Sequence, residues 1–168
     1  MRFFRQVVSS CAVAALLFPL AVNAEQLPKR GSYSGVYGWT ITTGDTVPVG
    51  KDHAIWGGVS TGSFRNDAGA GFLHGAVVKC SYSGAWKKDT GTRNGGDCVA
   101  IDRDGDEVSF VWKCTECDAG KGEFRATDGT GKYSGIKAQG TFVQTNAGPA
   151  DRPLVTGFST WNGSWELP

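Results

Sequence analysis

Apolar and polar side chains alternate along much of this chain. Val108, Phe110 and Trp112 fall on one face of an extended segment, whereas Ser109 and Lys113 fall on the other. A period of two is typical of a strand with one dry and one wet face. No part of the chain carries a sustained helical period, so the pattern predicts strands and few helices.

Eight segments combine this pattern with β-branched and aromatic residues. The predicted strands are 33–42, 54–64, 71–80, 97–103, 106–114, 122–126, 135–144 and 153–165, with turns at 66–69, 94–96, 104–105 and 128–129. The 25 glycines are dispersed among these strands, where they allow sharp bending. We therefore predict an all-β fold, a small antiparallel β-barrel of about eight strands.

The N-terminus has the pattern of a secretory signal peptide. Arg2 and Arg5 precede an uncharged run rich in Ala, Leu and Val, which ends at Val22-Asn23-Ala24. A basic start, a short apolar middle and small residues at the exit predict cleavage after Ala24. We expect residues 1–24 to be removed and residues 25–168 to form one barrel domain, secreted or periplasmic.

Charge limits the classes of partner. Without the predicted signal peptide, 15 basic and 16 acidic side chains remain, and they form no basic block. Nucleic acid is therefore not an expected partner. Lys79, Lys113 and Lys137 lie on the outward faces, where a membrane barrel would need an apolar band. We expect no span of the membrane after cleavage.

Four cysteines follow the predicted signal peptide: Cys80, Cys98, Cys114 and Cys117. An even number in an exported chain indicates two disulfides, for which three pairings exist. Strand parity turns Cys80 and Cys98 inward, so we favour that pair together with Cys114–Cys117. A redox role for Cys114 and Cys117 is less consistent with the strand and the glycine-rich loop around them. A zinc site lacks a second ligand pair at good spacing, because His53 and His74 lie far apart in sequence. We expect no metal and no cofactor.

The run Asp128-Gly-Thr-Gly-Lys-Tyr133, followed by Gly140-Thr-Phe142, resembles a segment shared by allene oxide cyclase barrels and dirigent proteins. The glycines suit a tight turn, and Tyr133 would pack on the barrel end. The resemblance implies a small antiparallel barrel with an apolar cavity, and it allows a homo-oligomer. The glycine spacing differs from the dinucleotide fingerprint.

Candidate site residues follow from the inward faces. His74, predicted at the centre of a strand, could bind a carbonyl or transfer a proton, with Asp102 as its partner. The alternative for His74 is a buried imidazole bonded to backbone. The candidate ligand-binding residues are Trp56, Phe72, His74, Phe110, Trp112, Tyr133 and Phe142. Asp102-x-Asp104-Gly105-Asp106 lacks the EF-hand spacing, and a hairpin tip explains it better than a calcium loop.

Three functional hypotheses follow. The first is an exported protein that binds a small apolar or aromatic molecule in its barrel. The second is a cyclase or isomerase that uses the same cavity, and the third is a solidly packed structural or interaction protein. A cavity lined by His74, Trp112 and Phe142 would favour the first two hypotheses, and a filled core would favour the third.

Overall fold

Each strand of the protein pairs with its neighbour in sequence, and the last pairs with the first. The computed structural model describes residues 27–148 and 155–168. The strands are β1 (Arg30–Pro48), β2 (His53–Asn66), β3 (Val77–Lys87), β4 (Gly91–Ile101), β5 (Glu107–Glu116), β6 (Lys121–Gly129), β7 (Lys137–Asn146) and β8 (Thr156–Glu166). All neighbours are antiparallel and β8 closes on β1. The predicted all-β antiparallel barrel of about eight strands is confirmed.

The β5–β6 connection contains the 3₁₀ helix Cys117–Ala119, and the β6–β7 connection contains the 3₁₀ helix Gly131–Tyr133. Within the described part of the chain, no helix is long and apolar enough to cross a membrane. The predicted signal peptide, residues 1–24, lies outside the described residues.

Alternate side chains point into and out of the barrel, as the sequence pattern predicts. On β5, Val108 and Phe110 are buried, whereas Lys113 on the opposite face is exposed. Lys79 and Lys137 are exposed on their own strands in the same way. The period-two pattern therefore identified the inner face of these strands correctly.

Several aromatic rings lie over glycines of the neighbouring strand. Gly84 pairs with Trp56 in the β2–β3 ladder, and a Cβ atom on Gly84 would overlap the indole. Gly157 is related to Trp39 in the same way across β1 and β8. A missing side chain gives a ring its space without spreading the strands. The glycines thus allow large rings inside a narrow barrel.

The predicted strand 71–80 is wrong in its first half, because β3 begins only at Val77. Gly71, Leu73 and Gly75 all have positive φ, which a strand cannot accommodate. The His74 amide donates to the Gly71 carbonyl at 3.0 Å, as in a turn. His74 therefore lies in an irregular connection and not at the centre of a strand.

The predicted turn 94–96 is also wrong, since these residues continue β4. Gly96 lies opposite Tyr82 on one side and Trp112 on the other. A Cβ atom on Gly96 would overlap the Ser81 carbonyl, and one on Gly95 would come within 2.9 Å of the Trp112 carbonyl, so these glycines allow close approach of the neighbouring backbone and do not reverse the chain. The reversal occurs earlier, where the Thr90 amide donates to the Lys87 carbonyl at 3.1 Å.

Aromatic side chains fill one end of the barrel. The ring of Phe72 stacks on Trp165 at a centroid distance of 5.0 Å. Tyr33 lies 4.6 Å from Phe72, and Tyr133 meets Phe72 edge-on at 5.9 Å. We call this group of four rings the aromatic plug. Burial of such rings contributes roughly 1.5–3 kcal/mol each to folding.

A disulfide joins Cys80 to Cys98, as predicted. These residues are direct partners in the β3–β4 ladder, and both are buried on the inner face. The inward parity of both strands thus led to the correct pair. The structure also joins Cys114, near the end of β5, to Cys117 in the connection that leads to β6.

Candidate functional site

A cavity of about 760 Å³ occupies the end of the barrel opposite the aromatic plug. Its floor consists of Phe110, Phe124 and Trp161, whose rings lie 4.8–6.0 Å from one another. Asp45 and Asn146, near the ends of β1 and β7, belong to its outer part. The barrel is therefore filled at one end and hollow at the other.

The cavity wall is rich in aromatic side chains. Trp39, Trp56, Tyr82, Trp112 and Phe142 each project inward from a different strand. Trp112 and Phe142 meet edge-on at 5.8 Å. This wall is suited to flat apolar rings, which gain from dispersion and from contact with aromatic faces.

A few polar side chains are placed among these rings. The Tyr37 hydroxyl lies 3.8 Å from the Cys80 sulfur, so the disulfide is part of the cavity wall. Burial raises the pKa of the Tyr37 phenol, and a hydrogen bond with Ser60 opposes that rise. Burial also raises the pKa of Tyr82. Both phenols are neutral at physiological pH and serve as neutral hydrogen-bonding groups.

Three buried polar atoms of the cavity wall lack a partner among the described residues. They are the indole Nε1 atoms of Trp39 and Trp112 and the amide Oδ1 of Asn94. A buried polar group without a partner costs about 1–3 kcal/mol. Their presence in the cavity wall is unusual because most buried polar atoms are paired.

The predicted ligand-binding residues divide between the two ends of the barrel. Four of them line the cavity: Trp56, Phe110, Trp112 and Phe142. The other three, Phe72, His74 and Tyr133, are not part of its lining, and two of these belong to the aromatic plug. Alternation indicated the inner face but carried no information about height along the barrel.

Sequence reasoning missed Tyr37, Trp39, Tyr82 and Asn94 as cavity residues. For two of them a signal was present. Tyr37 and Trp39 share the parity of Tyr33 in the first predicted strand, which places all three on one face. Asn94 was missed because residues 94–96 were predicted to form a turn and not part of a strand.

His74 does not line the cavity. Its side chain is half-buried, and its Nδ1 atom is buried without a hydrogen-bond partner among the described residues. The hydrogen bond from His74 to the Gly71 carbonyl is donated by the backbone amide of His74 and not by its imidazole. The imidazole therefore lies outside the cavity lining.

Asp102 takes part in a charge cluster outside the cavity. Its carboxylate lies 2.5 Å from the Lys132 ammonium, which also pairs with Asp104 and lies 3.9 Å from Asp106. Burial alone would raise the pKa of Asp102, but bonds from Lys132 and the Asp104 amide outweigh it and lower the pKa. Burial would lower the pKa of Lys132, and the carboxylates of Asp102 and Asp104 raise it instead.

This charge cluster fastens the Gly-Thr-Gly-Lys-Tyr segment to the β4–β5 hairpin. The Asp104 and Asp106 amides donate to the Asp102 carboxylate at 2.8 and 3.1 Å, which closes the predicted hairpin tip. The Lys132 amide donates to Asp106 at 3.1 Å. Tyr133 follows directly and is buried in the aromatic plug, as the sequence predicts. The cluster is thus a structural latch for the filled end.

Among residues 27–148 and 155–168, no group of three or more His, Cys, Asp or Glu side chains is arranged to hold a metal ion. In the Asp102–Asp106 hairpin, the Lys132 ammonium pairs with the carboxylates of Asp102 and Asp104.

Comparison with known proteins finds a likeness at the level of structure. No protein-family model and no curated protein matches the chain. The solved structure of a pterocarpan synthase dirigent protein is similar, with a TM-score of 0.48 and 9% sequence identity, over 85% of this chain and 89% of that one. The barrel assignment rests on the strand order and register described above.

Proposed function

We propose that this protein is an exported binding protein that holds a small apolar or aromatic molecule in its barrel. The observation that carries the proposal is the 760 Å³ cavity with its aromatic wall and floor. A volume of this size is within the range of small-molecule sites, which lie between about 300 and 1,000 Å³. A solidly packed structural barrel would have no such space.

Binding is favoured over catalysis by the position of the candidate catalytic residues. His74 and Asp102 do not line the cavity, and Asp102 is already paired with Lys132. A general acid or base must come within hydrogen-bond reach of the reacting atom. Apart from Asp45, which is exposed in the outer part of the cavity, the wall offers neutral hydroxyl, amide and indole groups, which orient a ligand well and transfer protons poorly.

Export is supported by the disulfides. Cys80–Cys98 and Cys114–Cys117 use all four cysteines of the described chain. Such bonds persist in oxidising compartments and are rare elsewhere. N-terminal sequencing of protein expressed from the full chain should begin at Glu25, and a protein that begins at Met1 would contradict export by this route.

The binding proposal can be tested with N-phenyl-1-naphthylamine, a neutral apolar dye that fluoresces when it leaves water. We expect saturable binding of one dye per barrel. The Ser159→Phe substitution adds a ring at a buried position that lines the cavity, so it should weaken dye binding at least tenfold.

Thr160→Phe is the matched control, because Thr160 is the next residue of β8 and its side chain is exposed. This variant should bind dye like the wild type. Circular dichroism would verify that both variants are folded. If Ser159→Phe does not fold, Ser159→Leu places a smaller side chain at the same position. Equal dye binding by folded Ser159 and Thr160 variants would show that the dye occupies another site.

A further inference from the structure

We propose that the Cys80–Cys98 disulfide is a thiol-exchange site inside the cavity, open to small uncharged thiols and closed by a bound ligand. This inference rests on the proposed function, because it makes the occupant of the cavity the regulator of the bond. Three observations support it. Both cysteines belong to the cavity lining, the rest of the described barrel covers them, and a phenol hydroxyl is bonded to one of the two sulfurs.

The cavity is the route to this disulfide in the described part of the chain. Cys80 and Cys98 are 4% and 8% exposed, and both belong to the lining of the 760 Å³ cavity on the inner face of the barrel. Outside them, β3 and β4 are paired with each other and with β2 and β5 on either side. The aromatic plug fills the opposite end. A thiol that reacts with the folded protein must therefore enter through the cavity.

The second disulfide, Cys114–Cys117, is an internal reference that lies outside the cavity. Neither of its cysteines belongs to the cavity lining, and both are half-buried where β5 leads into the β5–β6 connection. Exchange between a thiol and a disulfide depends on access to the sulfur. The two bonds of one molecule thus differ in the route by which a thiol reaches them.

Tyr37 is placed to assist exchange at Cys80. Its hydroxyl lies 3.8 Å from the Cys80 sulfur, and because a disulfide sulfur carries no hydrogen, the hydroxyl is the donor. Burial raises the pKa of Tyr37, and the hydrogen bond with Ser60 opposes that rise, as expected when Ser60 donates to the phenol oxygen. The phenol proton is then free for the sulfur. Such a donor stabilises the thiolate that forms on Cys80 when the disulfide breaks.

The exchange consists of two displacements in which a thiol is the reductant. A thiolate from solution attacks the Cys98 sulfur and forms a mixed disulfide with it. Cys80 leaves as a thiolate and takes up a proton. A second thiolate attacks the mixed disulfide, so the protein gains two thiols and the reagent leaves as its own disulfide. Two electrons pass from the reagent to the protein bond.

Charge and occupancy decide whether a thiol reaches the bond. Among the described lining residues, Asp45 is the only charged side chain, and it is exposed in the outer part of the cavity. An anion would find no counterion deeper in the cavity, so its entry is costly. Phe110 of the cavity floor is the direct ladder partner of Cys98. A ring that lies on this floor would therefore cover the disulfide.

Two thiols with the same two-carbon chain test the route: uncharged 2-mercaptoethanol and anionic 2-mercaptoethanesulfonate. Trapping with iodoacetamide at successive times, followed by peptide mass spectrometry, gives the reduction rate of each disulfide. We expect the preference for the uncharged thiol to be at least about tenfold larger at Cys80–Cys98 than at Cys114–Cys117. In urea-unfolded protein both bonds are exposed, so this difference between them should disappear.

A bound ligand should protect the bond in the cavity. With N-phenyl-1-naphthylamine at about ten times its dissociation constant, the fraction of empty barrels falls about tenfold. Reduction of Cys80–Cys98 by 2-mercaptoethanol should slow by the same factor, and that of Cys114–Cys117 should not change. Ser159→Phe should slow reduction of Cys80–Cys98 without dye, since Ser159 lies next to Tyr37 in the β1–β8 ladder. Thr160→Phe, which changes the outer face, should not.

A further variant tests the hydroxyl at the disulfide. Tyr37→Phe keeps the ring and removes the donor, so it should slow reduction of Cys80–Cys98 by 2-mercaptoethanol about tenfold, as expected for a hydrogen bond to a charged group. Tyr33→Phe is the matched control. Tyr33 belongs to the same strand and the same face as Tyr37 but packs in the aromatic plug, so its loss of a hydroxyl should leave the rate unchanged.

The possible outcomes separate this inference from the proposed function. Equal selectivity at the two bonds would overturn the inference, because Cys80–Cys98 would then open by unfolding and not through the cavity. Dye that binds without protecting Cys80–Cys98 would also overturn it and leave cavity binding intact. Absence of dye binding would count against the proposed function, whereas the comparison of the two thiols uses no ligand and tests the exchange site by itself. An unchanged rate in Tyr37→Phe would refute the role of its hydroxyl.

Discussion

The latch around Lys132 should contribute far more to stability than an ordinary surface ion pair. Side-chain exposure is 18% for Lys132 and 6% for Asp102, so the pair is largely shielded from water. Removing one partner of a buried pair leaves an uncompensated charge and costs about 3–5 kcal/mol. We therefore expect Lys132→Met to lower the unfolding free energy by about 3 kcal/mol or more.

Lys121→Met provides the control within the same protein. Lys121 pairs with Glu116 at 3.0 Å, but the two side chains are 51% and 62% exposed. Such surface pairs contribute about 0–1 kcal/mol. Urea unfolding of the disulfide-bonded protein, followed by circular dichroism, measures both variants on one scale. Similar losses of unfolding free energy in Lys121→Met and Lys132→Met would refute the claim that the latch contributes more than a surface ion pair.

The pH dependence of the unfolding free energy provides a second test of the pair between Lys132 and Asp102. The folded protein holds the pKa of Asp102 below its usual value, so this group stabilises the fold above its unfolded pKa. That contribution is lost as the pH falls through the lowered pKa. In Lys132→Met, protonation removes the unpaired charge, so the deficit relative to wild type should shrink below about pH 5. A deficit that does not change with pH would exclude the buried carboxylate as its cause.

Two further predictions concern the packing of the barrel. Phe72→Ala, in the aromatic plug, should cost about 3–5 kcal/mol of unfolding free energy, whereas Phe158→Ala at an exposed position should cost about 0.5 kcal/mol or less. Thermal unfolding of the two variants checks this, and equal midpoints would contradict a plugged end. Replacing Cys80 and Cys98 together by serine should cost about 2–4 kcal/mol, because the bond closes a loop with a sequence separation of 18. An unchanged urea midpoint in the double variant would show that the bond does not stabilise the fold.

The site could be predicted only in part from the sequence. Four of the seven predicted ligand-binding residues line the cavity, and for Phe110, Trp112 and Phe142 alternation on their strands identified the inner face. Phe72 and Tyr133 are inward as well, yet they fill the opposite end of the barrel. His74 lies outside the cavity lining for another reason. Positive φ at Leu73, a residue with no turn signal of its own, converts the expected strand into a turn.

Local patterns by themselves determined the class of fold, the inward faces, the Cys80–Cys98 pair and the Asp-Gly hairpin. Each of these depends on neighbouring residues or on the period-two geometry of a strand. The tertiary structure alone decided which rings fill the barrel and which surround the cavity. The height of a residue in a closed barrel depends on the register of all eight strands, and that register is a property of the whole sheet.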